Sequence, residues 1–231
     1  MDRQCFRAAM RTTLAPLALL TSLTAAAVPR GARAQGGAHA EFFLGAALNA
    51  PLPRDVRTVG GAPLIHQRAH FSTPPLRDSP YHAYRAGYRD GRGRAVEAEL
   101  LHHKLYLDNP IPPIEHLEIT HGYNLPMLNG VAPLEGRVPG ARGWHLRVGF
   151  GLVVAHPEGQ IAGQPVRAKR RTALGGGYHV AGAVLQLTAG RRYPLGRGRL
   201  VLTAAPEVRR TAAVARMRIA QGTLVVPNLA A

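Results

Sequence analysis

Cysteine and lysine are both scarce in this chain of 231 residues. The single cysteine, Cys5, excludes a disulfide framework and a multi-cysteine zinc site. Only Lys104 and Lys169 are lysines, so the 29 basic residues behind the net charge of +16 are almost all arginines. With 46% hydrophobic residues, the chain is too apolar for a disordered protein. It is long enough for one domain with a real core.

A long apolar run is present only at the N-terminus. Arg3, Arg7 and Arg11 form a positive region, residues 12–28 form the apolar run, and residues 32–34 supply small side chains for cleavage. We therefore expect residues 1–34 to be a secretory signal peptide. A membrane anchor is the weaker alternative, because the run falls short of the ~20 residues that a spanning helix needs. No later segment is apolar enough to predict a transmembrane helix.

Alternation of apolar and polar residues dominates the chain after residue 40. In the segment 144–152, Trp144, Leu146, Val148, Phe150 and Leu152 share one face, and small or polar residues share the other. This pattern is typical of a strand in a membrane β-barrel and also of a half-buried strand in a soluble sandwich. Glycines on the polar face favour a narrow barrel. Strands are predicted near 41–49, 80–90, 94–107, 116–129, 143–155, 176–190 and 197–209, with a weaker candidate near 213–220.

These strands predict an all-β domain over residues 35–231, a small up-and-down antiparallel β-barrel of about eight strands. The stretch from Pro51 to Pro80 is too rich in proline for a central strand. The chain ends in VVPNLAA, without the aromatic residue that normally closes such a barrel. Either a strand is missed by the pattern or the final strand is absent from this chain, and we favour absence.

Three short stretches concentrate polar groups: 99–106, 117–124 and 156–158. Alternation places His102, Lys104 and Tyr106 on one face of the first stretch, with Glu99 and His103 on the other. A β-bulge would be needed to turn His121 inward from the apolar face of the second. Imidazoles and carboxylates suit a first-row divalent metal and also general acid–base chemistry. A set of such groups is supplied by His102, Glu118, Asn124, His156 and Glu158, although a structural polar interior is equally compatible with them.

The three stretches together resemble the lipid A oxidase family of outer-membrane barrels. The carrying motifs are Glu99…His102-His103-Lys104-Leu105-Tyr106, then Ile119-Thr120-His121-Gly122-Tyr123-Asn124-Leu125, then the glycine-rich 149–155 ending in His156-Pro157-Glu158. A tyrosine-containing strand, 81–88, precedes them. The resemblance covers roughly residues 80–160. His121 stands where the family commonly has aspartate, so the charge at the site differs.

The resemblance implies a Gram-negative outer-membrane enzyme that oxidises the proximal glucosamine of lipid A with molecular oxygen and a divalent metal. It implies metal ligation by His102, His156 and Glu158, and catalytic roles for His102, Glu118 and Asn124. Lys104 and Tyr106 would contact the substrate. Lipopolysaccharide phosphates would also attract the abundant arginines, although a compositional bias toward arginine explains them equally well.

Two other functions remain open. A lipid A hydrolase or deacylase needs an activated nucleophile beside a histidine, but the motif strands offer Thr120 and no serine. A non-catalytic structural barrel predicts that the polar residues contribute only to stability. A nucleic-acid role is not expected, because the export signal separates the chain from nucleic acid and no aromatic-basic motif is present.

Overall fold

The computed structural model of the protein describes residues 36–57, 63–75, 80–166, 177–195, 202–219 and 222–231. The expected signal peptide, 1–34, with Cys5, lies outside these residues. No helix among the described residues is long and apolar enough to cross a membrane. The strands are β1 (Gly37–Leu44), β2 (Leu52–Arg57), β3 (Pro63–Ala69), β4 (Phe71–Ser72), β5 (His82–Arg89), β6 (Ala95–Leu107), β7 (Ile114–Pro133), β8 (Trp144–Ala155), β9 (Glu158–Ile161), β10 (Gln164–Pro165), β11 (His179–Arg191), β12 (Tyr193–Leu195), β13 (Leu202–Ala204), β14 (Glu207–Ile219) and β15 (Gly222–Ala230).

One antiparallel sheet holds 13 of these strands, in the order β1-β5-β6-β7-β8-β11-β14-β15-β2-β3. β4, β9 and β10 pair beside this path, and β12 and β13 form a separate two-stranded sheet. The all-β prediction is therefore confirmed. The number of about eight strands is too low for the sheet, and no ladder joins its two ends, β1 and β3, among the described residues. The additional strands come mainly from excursions of the chain beyond the long strands.

The strands predicted for the C-terminal part of the chain need correction. Of the candidate 197–209, residues 197–201 lie outside the described residues, 202–204 form β13, and only 207–209 belong to β14. The candidate 213–220 covers the later part of β14, because the adjacent charges of Arg209 and Arg210 interrupt the pattern between the two. The last residues were assigned to no strand, because the final strand was expected to be absent, and this expectation is wrong for residues 222–230. They form β15, in which Pro227 is the cross-strand partner of Val214 on β14. The proline-rich stretch 51–80 contributes β2 and β3 at the end of the strand order, not a central strand.

The two faces of the long strands reverse the usual polarity of a soluble core. On β8, Val148 and Phe150 are 61% and 63% exposed, whereas Arg147, directly before Val148, is 0% exposed. The predicted faces of this strand are confirmed, because the apolar positions of 144–152 all lie on the exposed side. The polar side is therefore the interior. We call the exposed side of the long strands the outer face.

Ion pairs fill one part of the interior. Arg85 on β5 donates to Glu41 on β1 at 2.8 Å and to Glu207 on β14 at 3.2 Å. Arg147 on β8 donates to Glu97 at 2.7 Å and to the same Glu207 at 2.8 Å. β5 and β14 are far apart in the strand order, so the sheet curves until its inner surfaces meet. The carboxylates are matched by several guanidinium groups, as burial of charge requires.

The rest of the interior is apolar. It lies toward the end of the sheet where β6 and β8 finish and β11 begins. Buried there are Leu101 and Leu105 of β6, Leu125 of β7, Met217 of β14 and Leu224 of β15. The inner face of β6 thus runs from Glu97 and Glu99 through Leu101 to His103. His102 lies on the opposite, outer face, as the alternation predicts relative to Glu99 and His103.

Candidate metal centre at the edge of the outer face

The outer face changes from apolar to polar at this same end of the sheet on five neighbouring strands. On each strand, an exposed apolar side chain is followed toward this end by an imidazole, amide or phenol group. The two residues are two or four positions apart, which keeps them on one face. The exposed residues and the polar ones that follow them are Tyr84 and His82 on β5, Leu100 and His102 on β6, Leu128 and Asn124 on β7, Leu152 and His156 after β8, and Val180 and Tyr178 before β11.

His121, His156 and Glu158 form a compact cluster within this polar edge. One potential ligand atom of each lies within 4.8 Å of the others. His121 Nδ1 is 2.9 Å from Glu158 Oε2, and His156 Nε2 is 3.8 Å from Glu158 Oε1. Two imidazoles and a carboxylate are a common ligand set for zinc and other first-row divalent metals. The residues therefore fit the divalent metal that the sequence resemblance implies.

A local irregularity in β7 brings His121 to this position. Residues 120–122 of β7 stand opposite Lys104 alone, because the β6–β7 register shifts between His103 and Leu105. Gly122 has φ = +118°, and a Cβ there would meet the Asn124 side chain at 2.3 Å, so glycine is required. His121 is consequently exposed, while Ile119 and Tyr123 on either side are buried. The bulge turns His121 outward, not inward.

The carboxylate is held by the short strand β9. Glu158 is the cross-strand partner of Glu118 on β7, which fixes the backbone at this point. Thr120 Oγ1 donates to Glu158 Oε2 at 2.5 Å, on the same oxygen that contacts His121. Metal-binding carboxylates are commonly oriented by such hydrogen bonds.

Tyr178 supports the two histidines from the other side. Its ring packs edge-on against His156, with centroids 5.1 Å apart. Its hydroxyl donates to the carbonyl oxygen of His121 at 2.9 Å. The imidazoles of His121 and His156 lie 5.0 Å apart, close enough to share one ion between them.

The protonation states at this cluster suit a cation. Burial lowers the pKa of His156, although Glu158 opposes the shift, so the imidazole is neutral near pH 7. Burial raises the pKa of Glu158, but hydrogen bonds from Thr120 and His121 outweigh it and leave the pKa below its ordinary value. A neutral imidazole and an ionised carboxylate are the forms that bind metal.

His102 and Asn124 form a second polar pair on the same face. His102 Nδ1 is 2.8 Å from Asn124 Oδ1, and the His102 ring stacks on His82 with centroids 4.9 Å apart. With the amide oxygen as acceptor, Nδ1 carries the proton and Nε2 is the basic nitrogen. Nε2 is buried and has no hydrogen-bond partner among the described residues. This arrangement leaves an imidazole nitrogen available to accept a proton.

The remaining sequence-predicted residues lie nearby but are not brought into the cluster. Lys104 sits buried in the β6–β7 irregularity. Tyr106 and Glu118 are half-buried cross-strand partners of each other. The structure brings His156 and Glu158 together with His121, whereas the contacts of His102 are with Asn124 and His82. The ligand set that includes His102 stays a prediction.

Sequence reasoning did not single out His82 or Tyr178 and gave Thr120 no role at the cluster. The sequence offers Thr120 as a candidate nucleophile for a hydrolase, not as a partner of a metal ligand. His82 stood among proline and arginine residues with no partner pattern. Tyr178 lies beyond the long connection that follows β8, where no motif marks it. A signal was present for His121, because a glycine directly after a histidine in a strand favours a bulge.

A second group of potential ligands lies inside the sheet but has other partners. His39, Glu41 and Glu97 also come close enough to hold an ion. Glu97 already contacts His39 at 3.0 Å and Arg147 at 2.7 Å, and Glu41 contacts Arg85 at 2.8 Å. Arginines therefore supply the positive charge there, and the outer cluster is the better candidate.

Comparisons with known proteins identify no relative. No protein-family model, curated protein or solved structure matches the chain. The resemblance to the lipid A oxidase family therefore remains a prediction that depends on the motifs of residues 80–160.

Proposed function

We propose that the curved sheet closes as an eight-stranded barrel built from β1, β5, β6, β7, β8, β11, β14 and β15. The segment after β1 supports closure, because Leu48 and Ala231 exchange backbone hydrogen bonds of 2.8 and 3.0 Å. Following cross-strand partners from His39 around these strands leads to Ala230, whose partner is Asn49. The path returns ten residues beyond its start, and closure of a barrel requires a stagger of this kind.

We propose further that this barrel spans an outer membrane. Exposed apolar side chains around the outer face and buried charge inside are the distribution that lipid favours. The longest connections between the eight strands, 45–81 and 156–178, lie at the end that carries the metal centre. Longer loops mark the external side of such barrels, so the centre would face the outer leaflet.

The function that this arrangement supports best is oxidation of the proximal glucosamine of lipid A. The observation that carries it is the position of the His121–His156–Glu158 cluster, on the outer face where apolar residues end. A lipid whose acyl chains cover the apolar part of the outer face would place its sugar headgroup at the level of this cluster. In the reaction, the C1 hemiacetal is oxidised to the lactone and loses two electrons and two protons, which molecular oxygen accepts to become hydrogen peroxide. Water then opens the lactone to the carboxylate, and the sugar has gained one oxygen.

The residues of the polar edge have separable roles in this proposal. His121, His156 and Glu158 would hold the divalent metal, which when bound activates oxygen or polarises the sugar. His102 Nε2 would accept the proton from the C1 hydroxyl, and Asn124 would keep His102 in the required tautomer. Lys104 and Tyr106 remain predicted contacts to the substrate, and Glu118 remains a predicted catalytic residue.

The test is the mass spectrum of lipid A from a Gram-negative host that expresses the chain and whose lipid A carries a free hydroxyl at C1. We expect lipid A to gain one oxygen, and both His102→Ala and His156→Ala to abolish the gain. His116→Ala is the matched control, because His116 is exposed on β7 and belongs to neither cluster. Each variant must first be shown to be folded in the outer membrane.

The other outcomes identify the alternatives. Loss of an acyl chain would establish a lipid A hydrolase instead. Unchanged lipid A with a folded wild-type chain would leave a non-catalytic barrel. An oxygen gain that survives both histidine substitutions would retain the reaction but remove the assigned site.

A further inference from the structure

Arg54 is a buried cation that has no counter-ion within the described part of the chain. It lies on β2, is 1% exposed, and none of its three guanidinium nitrogens has a hydrogen-bond partner among the described residues. Its neighbour Asp55 lies on the opposite face of β2, where it contacts His66 and, at 3.4 Å, Arg57. Among the residues that the structure describes, no carboxylate lies within ion-pair distance of Arg54.

The surroundings of Arg54 are mostly apolar. The guanidinium carbon lies 5.9 Å from the centre of the Phe71 ring. Ile65 and Ala69 are buried on the adjoining β3, and Leu224 and Val226 on the adjoining β15. Contact with an aromatic face stabilises a cation modestly and leaves the N–H groups along the guanidinium edge without acceptors.

Gln67 on β3 is the cross-strand partner of Arg54. Its Nε2 donates to the carbonyl oxygen of Asn109 at 2.9 Å, and its Oε1 has no partner among the residues that the structure describes. One amide oxygen would satisfy at most a small part of the five N–H donors of an arginine and none of its charge. Rotation of Gln67 therefore does not resolve the imbalance.

Two other buried arginines have the carboxylate partners that Arg54 lacks among the described residues. Arg85 and Arg147 each contact several carboxylates inside the sheet. Arginine does not escape burial by losing its proton, because its pKa is too high. A buried guanidinium without an anion is strongly unfavourable.

We propose that Arg54 forms the cationic pole of a binding site for a small oxyanion, a carboxylate or inorganic phosphate, enclosed by β2, β3 and β15. The guanidinium fork suits two oxygens of one such anion. This site is separate from the proposed metal centre and does not depend on the proposed function.

The experiment measures thermal unfolding of the purified full chain in detergent micelles. Acetate and phosphate are titrated separately at constant ionic strength, which is maintained with a bulky sulfonate salt. We expect the Tm to rise with one of the anions and to follow the logarithmic dependence of specific binding. The anion that is effective distinguishes a carboxylate site from a phosphate site.

Two substitutions identify the residue responsible. Arg54→Met should abolish the dependence on the anion, whereas Arg216→Met, which removes an exposed arginine from β14, should retain it. If Arg54→Met does not fold, Arg54→Lys serves instead, because it keeps the charge but loses the fork and should weaken binding about tenfold.

Two results would overturn the proposal. One is a wild-type Tm that is unaffected by either anion at any concentration. The other is a Tm response that Arg54→Met or Arg54→Lys leaves unchanged. Asp78→Asn is included because Asp78 lies outside the described residues. If Asp78→Asn destabilises the chain as much as Arg54→Met does, and neither anion changes the Tm of the wild type, the counter-ion of Arg54 is Asp78.

Discussion

His121 and Glu158 lie 37 positions apart in the chain and meet through Nδ1 and Oε2 at 2.9 Å. The contact depends on two local features, the bulge at Gly122 and the short strand β9. His156 reaches the same carboxylate from the end of β8. The bulge within β7, the end of β8 and the start of β9 thus meet at one point, an arrangement suited to a metal ion.

Removing one ligand should weaken metal binding at this cluster. For His156→Ala we expect the affinity for Co²⁺ to fall by at least about tenfold, because one of three protein ligands is lost. Isothermal titration of the folded protein, with Co²⁺ absorption as a second readout, measures the change. His116→Ala should bind Co²⁺ as the wild type does, and equal losses in both variants would argue against the cluster.

Thr120 should affect the same site indirectly. Thr120→Val keeps the shape of the side chain but removes the donor to Glu158 Oε2. Partners that orient a ligand are worth about 10- to 100-fold in metal affinity, and we expect a loss in this range. Thr203→Val, far from the cluster on β13, provides the comparison. An unchanged affinity in Thr120→Val would show that Glu158 needs no orienting group.

Glu207 should be essential for the stability of the charged interior. It contacts Arg147 at 2.8 Å, Arg85 at 3.2 Å and His145 at 3.3 Å. Glu207→Gln keeps its size but leaves the arginines short of negative charge, at a cost of about 3–5 kcal/mol. Urea unfolding in detergent measures the loss. Glu135→Gln, on an exposed connection, should change stability little, and equal effects would contradict the importance of the interior network.

Gly151 should not tolerate a side chain. A Cβ at this position on β8 would lie 2.0 Å from the carbonyl oxygen of Pro126 and 2.7 Å from Met127 Cα, both backbone atoms of β7. Gly151→Ala should therefore cost about 1–3 kcal/mol of unfolding free energy. Gly130→Ala is the control, because nothing lies within 4 Å of its Cβ position. Similar midpoints for the two variants in urea would show that the strands adjust freely.

The sequence predicted the long strands because one physical pattern governs them. Where one face is apolar over several residues, as from Trp144 to Leu152, the alternation fixes both the strand and its exposed side. It failed at β14 and β15, where Arg209, Arg210 and Pro227 interrupt the pattern. Arg209 is tolerated because the interior pairs it with Glu99 at 2.6 Å, and Arg210 is tolerated because its side chain is exposed. Pro227 removes only one N–H donor from the ladder.

The candidate site was only partly accessible from the sequence. His156 and Glu158 are close in the chain, so their meeting follows from a tight connection. His121 joins them because a three-residue irregularity changes which face it occupies, and simple alternation places it on the wrong side. Tyr178 enters through the pairing of β8 with β11, a long-range contact that periodicity does not encode.

Phe150 provides a test of the membrane environment of the outer face. It is 63% exposed in the middle of the apolar stripe of β8. If lipid covers this face, Phe150→Arg should cost about 2–4 kcal/mol and reduce insertion into phospholipid vesicles. If water covers it, the charge should be neutral or favourable.

Val138→Arg is the matched control, because Val138 is 48% exposed on the connection between β7 and β8, outside the stripe. Folding yields in vesicles and in detergent separate the two cases: a deficit confined to Phe150→Arg and to vesicles supports lipid contact, and equal yields for both variants in vesicles contradict it.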